Sequence, residues 1–129
     1  SVYYMILCMK RSFIMDDCIF CKIVKGEIPS IKLYEDDKVL AFKDIEPIAP
    51  IHDLVIPKVH CNSLNEFDDK DMLYSIFNAV KEVAKIEGIS EEGYRVINNV
   101  GENGGQAVKH IHFHVIGGRK LPTRFNDCD

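Results

Sequence analysis

No apolar run in this chain approaches the ~20 residues that a membrane-spanning helix needs. The stretch Val2–Met9 is apolar, but no basic segment precedes it, and Lys10-Arg11 come after it. No small-residue cleavage site follows, so no export signal is read and a cytoplasmic location is expected. Basic charge is also scarce. Sixteen Lys and Arg stand against 20 Asp and Glu, a net charge of −4. That balance argues against non-specific binding to nucleic acid, whose affinity comes mainly from cations neutralising phosphates. Internal repeats and low-complexity segments are absent, which excludes solenoids and long linkers.

What is present suits one globular domain. The length is 129 residues, with 47% apolar and 28% charged. A chain of this size buries about two-thirds of its unfolded surface, enough for a core of its own. The five cysteines, Cys8, Cys18, Cys21, Cys61 and Cys128, are odd in number. An odd count in a chain with its own core suits reduced thiols better than a disulfide framework. Residues 1–15 differ from the rest, holding Met5, Met9 and Met15. They are expected to be an extension, either a non-native or alternative start or an added arm, with the domain spanning 16–129.

Asp17 is placed to cap a short helix carrying Ile19, Phe20, Ile23 and Val24, which Gly26 and Pro29 end. Lys32–Glu35 and Val39–Lys43 flank Asp36-Asp37-Lys38 and read as a hairpin. His52–Ile56 is a short strand stopped by Pro57. Asp68 or Asp69 opens one long helix, whose apolar stripe is Met72, Leu73, Ile76, Phe77, Val80, Val83 and Ala84, with Gly88 as its stop. Tyr94–Asn98 and Lys109–Ile116 read as strands around a glycine-rich loop, Val100–Gln106. The order predicts an α+β domain: a five-stranded antiparallel sheet with one long and one short helix on one face.

All five histidines fall in two places: His52 and His60, then His110-Ile111-His112-Phe113-His114. Alternation along a strand puts the three imidazoles of the second set on one face and Ile111, Phe113 and Val115 on the other. The outer two Cα atoms would lie about 13 Å apart, too far for a single metal to take all three easily. The three histidines therefore have different jobs. A neutral imidazole can attack phosphorus, and a neighbouring one can donate to the phosphate oxygens or to the leaving group. Asn103-Gly104-Gly105-Gln106 lies just before them, and glycines let backbone N–H groups approach an anion. Cys18-Ile19-Phe20-Cys21 is a C-x-x-C at the first helix. Its spacing lets both sulfurs reach one Zn²⁺, and two buried free cysteines are the even alternative.

Asp44-Ile45, His52-Asp53-Leu54-Val55-Ile56-Pro57-Lys58-Val59-His60, Gly104-Gly105-Gln106 and His110-Ile111-His112-Phe113-His114-Val115-Ile116 together resemble the histidine triad (HIT) superfamily, and most of all its Hint-like nucleotide-binding branch. The resemblance runs from about Asp17 to Gly118. It implies a homodimer whose sheet continues across two chains. It also implies hydrolysis or transfer of purine nucleoside monophosphate groups, such as AMP or GMP, from phosphoramidates or adenylates through a nucleotidyl-histidine. Dinucleoside polyphosphate hydrolysis, or a zinc-stabilised binding protein with little turnover, are the alternatives.

By the same resemblance, His112 is the nucleophile, with His114 and His52 at the phosphate. Asp44 holds the ribose, while Ile19, Phe20, Ile23, Phe42 and Ile45 form the base wall. Asn99, Gly105, Gln106 and Ala107 lie at the phosphate and leaving group. Cys18, Cys21, His60 and His110 form a structural zinc set. Two features depart from the pattern. Ala107 stands where several relatives have a polar residue, and the tail Arg119–Asp129 does not resemble theirs.

Overall fold

The computed structural model describes residues 17–123. The extension 1–15 and the end of the tail lie outside the described residues. The order is α1 (Ile19–Lys25), β1 (Lys32–Glu35), β2 (Val39–Lys43), β3 (Ile51–Pro57), a 3₁₀ turn (Leu64–Glu66), α2 (Lys70–Ile86), β4 (Tyr94–Ile97) and β5 (Phe113–Gly117). The strands form one antiparallel sheet in the order β1-β2-β3-β5-β4. The expected α+β fold is the one observed. No helix among the described residues is long and apolar enough to cross a membrane.

The helices lie on opposite faces of the sheet, not on one as the sequence order suggested. Val39, Ala41, Val55, Phe113 and Val115 face α2, whose Met72, Ile76, Ala79, Val80, Val83 and Ala84 complete the larger core. The alternate residues Leu40, Phe42, Leu54 and Ile56 turn the other way and meet Phe20 and Ile23 of α1. Strands apolar on both faces need two covers. The long helix lies on one side, and the short helix brings its cysteine turn to the other.

Local chemistry sets the ends. Cys18, not Asp17, caps α1: its sulfur accepts from the Cys21 N–H at 3.4 Å. Asp69 caps α2, accepting from Asp71 N–H at 3.0 Å and Met72 N–H at 3.2 Å, a cap that contributes about 1 kcal/mol. Gly88 follows α2 with φ +74°, a left-handed position that favours glycine.

The expected strand Lys109–Ile116 begins only at Phe113. Val55 pairs with Phe113, so Ile111 would come opposite Pro57, which has no N–H to give. The Ile111 N–H instead donates to the Cys61 carbonyl at 2.8 Å. His110 and His112 therefore sit in an extended segment leading into the sheet. Ile111, Phe113 and Val115 enter the larger core as alternation required.

Asp53 is 1% exposed, and one carboxylate oxygen has no partner. Burial first, then the nearby Glu87 carboxyl, raises it to about 7 against the pull of Lys43. A raised carboxyl binds its proton more tightly in the folded chain, so stability is lost as pH climbs from the unfolded value toward 7. Asp53→Asn should therefore stabilise more at pH 8 than at pH 5, by about 2 kcal/mol. Urea melts at both pH values check this; an equal effect at both would contradict it.

Candidate functional site

The face of the sheet that carries α1 also carries the histidines. His112 is 4% exposed. Its Nδ1 lies 2.8 Å from the His110 carbonyl, so that nitrogen carries the proton and donates. The proton-free Nε2 keeps its lone pair and has no protein partner among the described residues. His114, on β5, has its ring 5.1 Å from that of His112.

A second chain of bonds sets His114. The Ile48 N–H donates to His52 Nδ1 at 3.1 Å, which places the His52 proton on Nε2. His52 Nε2 lies 2.9 Å from His114 Nδ1 and 3.3 Å from Asp44 Oδ2. Donation from His52 makes His114 Nδ1 an acceptor and puts the His114 proton on Nε2. The two rings thus take opposite tautomers: His112 offers a lone pair and His114 an N–H. Asp44, His52 and His114 also lie close enough to hold a cation. The Ile48 N–H argues against that use, because it keeps a proton on the very nitrogen that would bind.

A separate cluster gathers Cys18, Cys21, His60 and His110, with ligand atoms all within 4.8 Å of one another. His110 Nδ1 lies 3.4 Å from Cys18 Sγ and 3.6 Å from Cys21 Sγ, and His60 Nδ1 lies 3.3 Å from Cys21 Sγ. A tetrahedral zinc sets its sulfur and nitrogen ligands roughly 3.5 Å apart, so the donors already stand at its edges. The outer nitrogens are occupied: His60 Nε2 by Asn62 Oδ1 at 2.9 Å and His110 Nε2 by the Pro57 carbonyl at 3.0 Å. Such partners turn the metal-facing nitrogens inward. Burial works against the Cys18 thiolate, but its contacts with the His110 and His60 imidazoles outweigh it and bring the thiol to about 5. Burial, then Cys18 itself, pushes Cys21 up to about 12. The residues fit a structural zinc. The expected reduced state holds at Cys18 and Cys21, which are free thiols, but not at Cys61, which is disulfide-bonded and outside the cluster.

The HIT domain profile matches residues 25–121. The chain belongs to the histidine triad family. It is 44% identical over 108 residues to a purine nucleoside phosphoramidase of Escherichia coli, covering 82% of this chain and 91% of the relative. It is 50% identical over 107 residues to a 14 kDa zinc-binding protein of Zea mays, covering 80% and 83%. The solved structure of a histidine triad protein from Clostridium difficile superposes with a TM-score of 0.81 at 53% identity, covering 85% and 97%.

In this HIT domain the residues expected at the nucleotide are placed unevenly. Phe20, Ile23 and Phe42 pack together in the smaller core, and Phe20 meets His112 edge-on at 5.1 Å. Ile19 and Ile45 are exposed, at 44% and 88%. Asp44 accepts from the Glu46 N–H at 2.8 Å while contacting His52. Asn99 follows β4 next to Asn98.

The Gly-Gly-Gln loop closes largely on itself. Gly105 and Gln106 N–H donate to the Glu102 and Gly101 carbonyls, each at 3.0 Å. The Gln106 side chain accepts from Gly101 N–H at 2.9 Å and donates to the Asn62 and Val108 carbonyls. Gln106 is thus a strut of the loop. Of the three residues 105–107, only Ala107 has an N–H with no acceptor among the described residues. At Gly104 a Cβ would fall 2.3 Å from the Val100 carbonyl oxygen, so only glycine closes this turn. Ala107 lines a cavity of about 410 Å³ with Cys18, Ile19, His60 and Lys109.

Sequence reasoning missed three supports. Asn98 Nδ2 donates to the His112 carbonyl at 2.9 Å. The Ile48 N–H sets the His52 tautomer. Asn62 holds His60 and, through its carbonyl, Gln106. An amide ending a strand beside the histidine segment is the one signal that pointed to Asn98.

Proposed function

We propose that this chain hydrolyses or transfers nucleoside monophosphate groups from purine nucleoside phosphoramidates or adenylates, with His112 as nucleophile. The observation that carries this reading is the His112 Nδ1–H bond to the His110 carbonyl, which leaves Nε2 bare beside a donor on His114. Nε2 forms a bond to the α-phosphorus. The phosphorus–nitrogen bond to the leaving amine breaks, and the amine departs with the electron pair and takes up a proton from solvent. Water then attacks the phosphoimidazole and restores Nε2. His114 Nε2–H, with His52 behind it and the Ala107 N–H assisting, stabilises the phosphate oxygens where charge develops. Phe20, Ile23, Phe42, Ile19 and Ile45 receive the base, and Asp44 the ribose. Asn99, Gly105 and Gln106 shape the phosphate side.

Zinc, where bound, supplies structure: four protein ligands leave no open position for a reactive water. The reading is tested by turnover of adenosine 5′-phosphoramidate, AMP-lysine and diadenosine polyphosphates side by side. Faster turnover of the phosphoramidates supports it. Preference for the polyphosphates, or binding of AMP without any turnover, contradicts it.

The acid limb of the pH profile follows from the site. Burial, then the charges of His112 and His52, lowers His114 to about 4, and burial lowers His112 below the ordinary imidazole range. Protonation removes the attacking lone pair, so activity falls only where the free enzyme gains that proton. kcat/KM should hold as pH falls through the ordinary imidazole range and decline only in more acid solution. A fall centred on the ordinary imidazole value of about 6.5 would contradict the assignment.

A homodimer with a continuous sheet belongs to the same reading. β4 is an edge strand carrying Val96, 38% exposed, and α2 shows Phe77 at 48%. Unpaired edges invite pairing. Light scattering at micromolar concentration should give twice the chain mass; the single-chain mass would contradict it.

A further inference from the structure

We propose that His110 is a positioning residue through which the Cys18–Cys21–His60–His110 metal site fixes the tautomer and aim of His112; this rests on reading His112 as the nucleophile. His110 is fully buried and held at three points. Its Nδ1 faces the two sulfurs at 3.4 and 3.6 Å, and its Nε2 donates to the Pro57 carbonyl at 3.0 Å. Its own carbonyl accepts from His112 Nδ1 at 2.8 Å. The anchored ring and the Ile111 N–H bond to the Cys61 carbonyl at 2.8 Å together hold the His110 backbone, whose carbonyl keeps the proton on Nδ1. In this segment no ladder partner holds the backbone, because Pro57 stands opposite Ile111 and the strand begins only at Phe113. The His110 anchors, with the Ile111–Cys61 and Asn98–His112 bonds, do there what the sheet does for His114.

A second contact runs the same way. Phe20 lies between the two cysteine ligands in the chain. It packs edge-on against both rings, at 5.8 Å from His110 and 5.1 Å from His112. A cation at the four ligands would fix the turn that carries Phe20 together with the ring whose carbonyl orients the nucleophile. Removal of the cation frees the ring's inner nitrogen and loosens the turn. His112 can then rotate or exchange its proton between nitrogens, and the lone pair is no longer always at Nε2. Phe20 also packs against Phe42 in the base wall, so affinity falls together with kcat, and the His112 tautomer is the readout that separates the coupling from a general loosening.

The test uses the full chain labelled with ¹⁵N-histidine, loaded with zinc, stripped by a chelator and reloaded. In the loaded chain His112 should show one tautomer, protonated at Nδ1. Stripping should mix in the Nε2-protonated form and lower kcat for adenosine 5′-phosphoramidate about tenfold. Zinc should restore both. His110→Cys, which keeps four ligands but loses the bond to Pro57, should retain zinc and the fold while showing the mixed tautomer and lowered kcat. That variant decides the matter if the stripped chain unfolds. A His112 tautomer and kcat unchanged by stripping, a parent-like His110→Cys variant, or a chain that takes up no zinc would each overturn the proposal. A zinc-dependent tautomer in a chain with no turnover on any of these substrates would uphold the coupling while sinking the proposed function.

Discussion

His112→Ala is expected to lower turnover of adenosine 5′-phosphoramidate by at least about a thousandfold, while AMP binding changes less than about threefold. The asymmetry follows from what the ring does. Its bond to phosphorus exists only in the transition state and the intermediate, so removing it costs rate and not affinity. A thousandfold loss is about 4 kcal/mol of barrier. The ring is buried but touches its neighbours mainly at Phe20 and His114, with centroids 5.1 Å away in each case, so the fold should survive. Steady-state kinetics with calorimetric AMP titration checks both halves. Turnover near that of the parent would remove His112 from the mechanism, and a parallel loss of binding and rate would make it a binding residue instead.

The second large effect is expected from zinc. Metal analysis should find about one ion per chain in protein purified without chelators. At free zinc a thousandfold above its dissociation constant, binding contributes about 4 kcal/mol. For a domain of this size that corresponds to about 10–20 °C in melting temperature, lost on chelation. Cys21→Ser should mimic the loss, because Cys21 is buried and approaches both imidazoles, at 3.3 Å from His60 and 3.6 Å from His110. Scanning calorimetry with and without chelator checks this. An unchanged melting temperature after verified metal removal, or no zinc at all, would contradict the structural role.

Much of the fold was legible because its signals are local. The hairpin around Asp36–Lys38, the cap at Asp69 and the stop at Gly88 each follow from a few adjacent residues. The covering of the sheet was misread as one-sided, although the unbroken apolar runs Val39–Phe42 and Leu54–Ile56 carry the signal for two covers. A strand covered on one side alternates; these do not. The stripe of α2 was read correctly except at Phe77, half exposed where burial was expected. The late start of β5 was not legible, because it depends on Pro57 arriving opposite Ile111, a matter of register between distant segments. The same limit applies at the site. Spacing alone separated the three histidines into different jobs. It could not show that Gln106 braces its own loop, that Asn98 holds the His112 carbonyl, or that a backbone N–H at Ile48 sets the protonation of His114. Those are contacts across long stretches of chain, and pattern reading along one strand does not reach them.

The central claim, that His112 Nε2 takes the nucleotidyl group, is tested most directly by trapping the intermediate. Zinc-loaded protein mixed with adenosine 5′-phosphoramidate and quenched within one turnover should carry a single adenylyl adduct. Peptide mass spectrometry should map it to His112, and His112→Ala should show none. An adduct on His114, His52 or any other residue, or turnover at the parent's rate in protein that never becomes labelled, would contradict the account.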